Sequence, residues 1–280
     1  MRWELTEDVE AFAATAGDFL RSKPVEHTVL LTLVGNLRRR GLRAYGSEAP
    51  IFGWWREDSG PVTGVLLQTP PHPVLFSSLP ADAVPAAVPA LSGRSVPGVN
   101  MIVEQAASFV PLWERSTGTT SATRLRVRLY LLGDLDKSDL SPGEARVATS
   151  ADRPLLLRWH KEFHEAIDDG PHGDAGADVD ERLSYGGITL WEVDGEPVSM
   201  AARSRLEAGM VRVQMVYTPA ALRGRGYAGA VTTTVSRQAL DLGATSVVLF
   251  TDLANPTSNA LYQRLGYRPV EDRVVMEFAT

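Results

Sequence analysis

Apolar residues first recur at helical spacing at Val25, Val29, Leu33 and Leu37, with Pro24 ahead of them, Arg38, Arg39 and Arg40 in the last turn and Gly41 beyond. That punctuation predicts a helix, because proline suits a first turn and basic side chains suit a carboxyl end. Three short β-rich runs follow at 51–56, 62–68 and 74–77, separated by Asp58-Ser59-Gly60 and by Pro70, Pro71 and Pro73. They read as an antiparallel meander. An alanine-rich stretch at 81–91 predicts a helix, followed by a strand at 99–103, a helix near 104–115 and a strand at 124–132. The order is β-β-β-α-β-α-β. In the last strand Arg124, Arg126 and Arg128 alternate with Leu125, Val127 and Leu129, which puts three cations on one face.

A polar stretch at 134–144 reads as a linker between residues 1–133 and 145–280. Beyond it, Leu155, Trp159, Phe163 and Ile167 recur every fourth residue and predict a helix, then a Gly- and Asp-rich loop covers 168–178. Strands at 188–193 and 197–204 flank Asp194-Gly195, a dipeptide suited to a two-residue hairpin. A third strand is expected at 210–217, then a helix at 226–242 stopped by Gly243, a strand at 246–251, a helix at 256–265 ended by Gly266, and a strand at 270–278. Both halves share one element order without residue-level similarity, so the expected class is α/β (α+β): two similar halves, each a mixed, mostly antiparallel sheet flanked by helices.

Composition changes this picture little. With 280 residues, 44% hydrophobic and 22% charged, the chain has material for two folded domains. Its formal net charge of −6 argues against a general nucleic-acid binder. The absence of cysteine excludes disulfides and thiolate chemistry and points to the cytoplasm. Residues 1–20 carry five acids, which fits no signal peptide, and the longest apolar run near the start, 29–34, is too short to span a membrane.

Candidate chemistry concentrates at Arg223-Gly224-Arg225-Gly226-Tyr227-Ala228, a glycine turn between a strand and a helix. Such a turn presents unpaired amides and the positive end of a helix dipole, which together receive a pyrophosphate. Arginine at a helix start opposes the dipole unless an anion lies between them, so Arg223 and Arg225 hint at a ligand. A dinucleotide fold would place its glycines after the first parallel strand, whereas this turn follows an antiparallel meander. A Walker loop needs Lys and Ser or Thr where Tyr227 and Ala228 stand.

Thirty residues on, Asn255-Pro256-Thr257-Ser258-Asn259-Ala260-Leu261-Tyr262 leads to Leu265-Gly266-Tyr267. Together with the glycine turn this resembles the GNAT superfamily of acyl-CoA N-acyltransferases, whose pattern is [Arg/Gln]-x-x-Gly-x-[Gly/Ala] and then Asn-x-x-Ala-x-x-x-Tyr-x-x-x-Gly-[Phe/Tyr], with Ser258 here in place of the alanine. The resemblance covers residues 145–278 and makes the first half a degenerate second copy, because nothing near 80–85 supplies a glycine turn. It implies that backbone groups of Met215, Val216 and Tyr217 align the pantetheine arm of acetyl-CoA, that residues 223–228 bind its pyrophosphate, that Asn255 contacts it from the next loop, and that Tyr262 lies near the sulfur. No metal is implied.

A neutral phenol, with a reference pKa near 10, can protonate the thiolate that leaves when an amine attacks a thioester. Candidates for the base are Glu192, which is favoured, Glu165 and Asp252. On the helix around Trp159, His160 and His164 share a face and could hold a metal with His172 or Asp168, but solvated histidines are the commoner explanation. His164 or Glu165 could also touch the substrate. The expected activity is transfer of an acetyl or similar small acyl group to a primary amine, in a small molecule or a peptide, by direct attack in a ternary complex. The alternative is a non-catalytic acyl-CoA-binding sensor or scaffold. The expected protein is a monomer or homodimer without nucleic-acid or membrane partners.

Overall fold

The computed structural model describes residues 1–135, 141–167 and 174–279. Its elements fall in two runs of the same order: strand, two helices, three strands, helix, strand, helix, strand. The first run is β1 (Arg2–Thr6), α1 (Val9–Ser22), α2 (Thr28–Arg40), β2 (Ile51–Arg56), β3 (Gly64–Gln68), β4 (Val74–Phe76), α3 (Ala83–Ala90), β5 (Gly98–Ile102), α4 (Val103–Thr117) and β6 (Thr120–Leu132). The second is β7 (Glu144–Val147), α5 (Arg153–Ile167), α6 (Ala175–Ser184), β8 (Ile188–Val193), β9 (Glu196–Arg203), β10 (Met210–Tyr217), α7 (Tyr227–Asp241), β11 (Ser246–Asp252), α8 (Pro256–Arg264) and β12 (Tyr267–Ala279). The mixed α/β class and the repeated order match the expectation from sequence. β1 and α1 were not foreseen, nor were β7 and α6. α6 begins inside the expected loop, where Asp174 caps it by accepting the N–H groups of Gly176 and Ala177. Residues 136–140 of the expected linker and 168–173 of the expected loop lie outside the described residues.

The chain forms two compact units, and neither is a continuous stretch. Unit 1 holds residues 1–129, 252–254 and 270–280, whereas unit 2 holds 130–251 and 255–269. The expected division gave 270–280 to the second half and 130–133 to the first. Its physical basis was a polar stretch, and hydrogen bonding does not follow that boundary. In unit 1, β12 pairs antiparallel with β5, Arg273 to Glu277 lying opposite Ile102 to Gly98. In unit 2, the Tyr130 hydroxyl donates to Asn259 Oδ1 on α8 at 2.9 Å and accepts from Gln263 Nε2 at 3.2 Å.

Unit 1 has strands in the order β1-β2-β3-β4-β5-β12, antiparallel except for β4 with β5. β2, β3 and β4 are apolar almost throughout because both faces of this sheet are covered. Phe52, Trp54, Val65, Leu67 and Leu75 pack with Phe12, Leu20, Leu30 and Leu37 of α1 and α2. Ile51, Trp55, Leu66, Val74 and Phe76 pack with Val84, Val88, Phe109 and Trp113 of α3 and α4. Period-two alternation then has no polar member to display. Two arginines of the row on β6 are paired: Arg128 makes a two-pronged bond to Asp272, and Arg124 lies 3.2 Å from Glu277.

In unit 2, β7, β8, β9 and β10 form an antiparallel run, and β11 joins β10 in parallel. One face packs on α7 through Val211, Val213, Val231, Val235 and Leu249. The other packs on α5 and α6 through Leu156, Trp159, Val179, Leu190 and Met200. Among the described residues no helix is long and apolar enough to cross a membrane.

Candidate active site

The defining irregularity of unit 2 lies in β10. Its ladder with β9 runs through Gln214 opposite Ala202 and resumes with Tyr217 opposite Met200, so Met215 and Val216 together face Ala201. Met215 takes a φ of +48°, a conformation that costs a non-glycine residue about 1–2 kcal/mol. One extra residue reverses which side chains face which side. Val211 and Val213 lie against α7, but Met215 and Tyr217 lie in the cluster with Trp159 of α5. Met215 and Val216, the residues that the resemblance assigns to a pantetheine arm, are thus the two residues of the bulge.

β10 and β11 pair only from Met210–Ser246 to Val213–Leu249, although β10 continues to Tyr217 and β11 to Asp252. The strands therefore part on approaching the glycine turn. Gly224 and Gly226 have φ values of +78° and +83°, which L side chains adopt only with strain. Gly226 is also the N-cap of α7 and offers no side chain to the first amides of that 15-residue helix. Among the described residues, the backbone N–H groups from Gly224 to Gly229 have no protein acceptor. Arg223 donates through Nε to the Thr218 carbonyl at 3.0 Å, Arg225 is exposed, and the Ser141 hydroxyl donates to the Arg225 carbonyl at 2.8 Å. Unpaired amides, a helix dipole and two arginines form an anion site open to solvent.

Asn255 caps α8, its Oδ1 accepting the Ser258 N–H at 3.0 Å, and Pro256 opens that helix. Two turns later Tyr262 is buried, edge-on to Tyr267 with ring centroids 6.1 Å apart. Burial pushes its hydroxyl up to about 12, which keeps it protonated at neutral pH. That hydroxyl makes no hydrogen bond to the protein among the described residues and is not fully occluded. Its proton is therefore uncommitted.

Residues 153–267 match the profile of the acetyltransferase (GNAT) family. Unit 2 is a GNAT domain. Solved structures agree over the whole chain. A GNAT-family acetyltransferase from Colwellia psychrerythraea shares 10% identity over 100% of both chains with a TM-score of 0.61. A GCN5-related N-acetyltransferase from Sphaerobacter thermophilus shares 14% identity over 98% of this chain and 95% of its own, with a TM-score of 0.62. A Drosophila protein shares 14% identity over 99% and 98%, with a TM-score of 0.70. At such identities these likenesses establish the fold. No curated protein sequence matches the chain.

Within the GNAT domain the base candidates separate. Glu192, the base favoured from sequence, is held by Arg146, whose Nε donates to its Oε1 at 2.7 Å while the rest of the guanidinium grips Asp152. Glu192 thus faces a guanidinium that it shares with Asp152. Glu165 is exposed beside Lys161 at 3.7 Å, and Asp252 accepts the Ala254 N–H. The carboxylate that sequence reasoning passed over is Glu162, half-buried on α5, whose Oε2 accepts the Tyr217 hydroxyl at 2.8 Å. Its only signal was a position three residues after Trp159, at the margin of the apolar stripe.

His160 is buried rather than solvated, 3.3 Å from Asp178, which also pairs with Arg182. The His164 ring lies beside it, tilted by 48°, with centroids 4.3 Å apart. No metal-holding group occurs among the described residues, and Asp168 and His172 lie outside them.

The Arg146–Asp152 pair makes unit 2 acid-sensitive. Hydrogen bonding from Arg146 leads the effects that hold the Asp152 carboxyl at about 2, below its ordinary 3.8. A depressed carboxyl contributes stability that is complete above its unfolded pKa and lost as pH falls through the folded one. Asp152→Asn is therefore expected to lower stability at neutral pH and to flatten the loss between about pH 4 and pH 2, read by fluorescence of Trp191 in acid titrations. An unchanged acid transition would show that the pair contributes nothing.

Proposed function

We propose that unit 2 binds acetyl-CoA and transfers its acetyl group, or a similar small acyl group, to the primary amine of a small molecule or peptide, by direct attack in a ternary complex. The observation that carries this reading is the open turn at Gly224 to Gly229, whose amides have no protein acceptor among the described residues and lie beside two parted strands. The residues present fit the cofactor. A Cβ added at Gly224 would meet nothing within 4 Å, so a diphosphate has room to approach the backbone. Peptide groups of Met215 and Val216, at the bulge, offer partners to an amide-bearing arm. A bound thioester supplies an activated carbonyl and a thiolate leaving group, and Tyr262 supplies the proton that thiolate needs.

The test is thiol release from acetyl-CoA in the presence of a panel of primary amines, paired with calorimetry of acetyl-CoA binding. Gly224→Glu places a carboxylate where the phosphates would sit, and Gly224→Gln, equally strained at φ +78°, controls for the backbone and should keep far more affinity. Like-charge apposition of several kcal/mol predicts about a hundredfold or greater loss of affinity. Wild-type affinity in Gly224→Glu would remove the turn as the phosphate site. Binding with no turnover on any amine would favour a sensor.

A further inference from the structure

Tyr217 closes β10 just past the bulge, where β10 and β11 have parted, and its ring packs on Trp159 with centroids 6.0 Å apart. Its hydroxyl points to α5 because the bulge turned it away from α7, and there it donates to Glu162 Oε2 at 2.8 Å. The other oxygen of Glu162 has no protein partner among the described residues. Glu162 is thus held through one oxygen by a neutral hydroxyl, whereas Glu192 is bound through one oxygen by the charged Arg146 and Glu165 is exposed beside Lys161. The charged groups around Tyr217 are Glu162 and Glu165 from α5 and Arg223 from the turn after β10. Burial first, and the bond to Glu162 second, push the Tyr217 hydroxyl up to about 12, so it remains the donor at neutral pH.

Resting on the acyl-transfer reading above, we propose that Glu162, oriented by Tyr217, is the base that takes the proton of the incoming ammonium. The ammonium N–H bond breaks and the proton passes to the free carboxylate oxygen. The released nitrogen lone pair forms the C–N bond at the thioester carbonyl, the C–S bond breaks, and sulfur takes the Tyr262 proton. The second proton shed by nitrogen restores the Tyr262 phenol through solvent. Glu162 returns its own proton to water, one per turnover. Tyr217 is a positioning residue.

Glu162→Gln keeps an acceptor for the Tyr217 hydroxyl, so the bulge and the packing on Trp159 should persist. On the panel amine that the wild-type protein acetylates fastest, Glu162→Gln is expected to lower kcat/KM about 10²–10⁴-fold at pH 7 with acetyl-CoA affinity unchanged. The deficit should shrink as pH rises toward the acceptor's own pKa, about 8 for an α-amine and about 10.4 for a lysine-type amine, because the nucleophile then arrives neutral. Glu162→Asp should restore part of the rate, and Tyr217→Phe should lose less than Glu162→Gln. Wild-type turnover in Glu162→Gln, or a deficit equal at every pH, would overturn this assignment and leave the acyltransferase reading intact. A wild-type protein that neither binds acetyl-CoA nor releases thiol would overturn both.

Discussion

Replacing Tyr262 by phenylalanine is expected to slow thiol release by about 10²–10⁴-fold while leaving acetyl-CoA affinity within a factor of two or so. The change removes one oxygen from a ring that is buried against Tyr267, and that oxygen makes no hydrogen bond to the protein among the described residues. Nothing in the fold therefore loses a partner, and the variant should unfold at nearly the wild-type temperature. The chemistry loses its proton source. A phenol held up to about 12 by burial is fully protonated across the neutral range, so the loss should be flat between pH 6 and pH 9, unlike that of a variant lacking a base. Two outcomes would reassign the residue. A variant with wild-type turnover would make Tyr262 a packing residue only, and one that also lost acetyl-CoA binding would make it a wall of the cofactor site. The separation is measurable because binding and turnover are read on the same preparation.

How much of this was legible in the sequence depends on which physical signal each feature carries. The glycine turn and the Asn255-to-Tyr267 stretch were legible because backbone conformation and capping constrain residue type directly: Gly226 sits at φ +83°, and Asn255 caps the helix that carries Tyr262. The meander strands were legible from their apolar runs. The bulge was not, because Met215 occupies the left-handed position where a glycine would have advertised it. Without the bulge, alternation places Tyr217 on the same face as Val213, so its partner Glu162 could not be found. The pairing of Glu192 was hidden for a related reason: an acid on a strand shows no partner in sequence until a non-local arginine, here Arg146, is brought beside it. The passage of β12 into unit 1 escaped because β12 is continuous in sequence, and Tyr267 packs in unit 2 while Val274 packs in unit 1. Hydrophobic pattern reports that a strand is buried and not which sheet receives it.

The place of β12 in unit 1 also explains why that unit should hold no second cofactor, and it yields the largest expected effect on stability. Arg273 of β12 is 4% exposed at its side chain and donates to the carbonyls of Phe76 on β4 and Asn100 on β5, to Asn100 Oδ1, and to Glu271. β4 and β5 pair in parallel only at Val74–Val99 and Leu75–Asn100, so the guanidinium spans the two strands where their ladder ends. The corresponding strands of unit 2, β10 and β11, run on unpaired at that point. β4 has no bulge among its described pairs, and the residue after it, Ser77, is tied back to Val65 through both its N–H and its hydroxyl. Removing a charge from a buried pair strands its partner, a cost of about 3–5 kcal/mol. Arg273→Ala is accordingly expected to lower the urea midpoint of unit 1, followed through tryptophan fluorescence, where Trp3, Trp54, Trp55 and Trp113 report. Arg273→Met with Glu271→Gln removes both charges, retains apolar volume and should recover much of the loss, because the desolvation cost goes with the pair. Equal destabilisation in the single and double variants would show that the strand-bridging bonds to the Phe76 and Asn100 carbonyls, rather than the ion pair, hold this end of the sheet. In the wild-type protein acetyl-CoA should bind with a stoichiometry of one per chain by calorimetry, and a second equivalent would mean that the strap across β4 and β5 does not close unit 1 to the thioester.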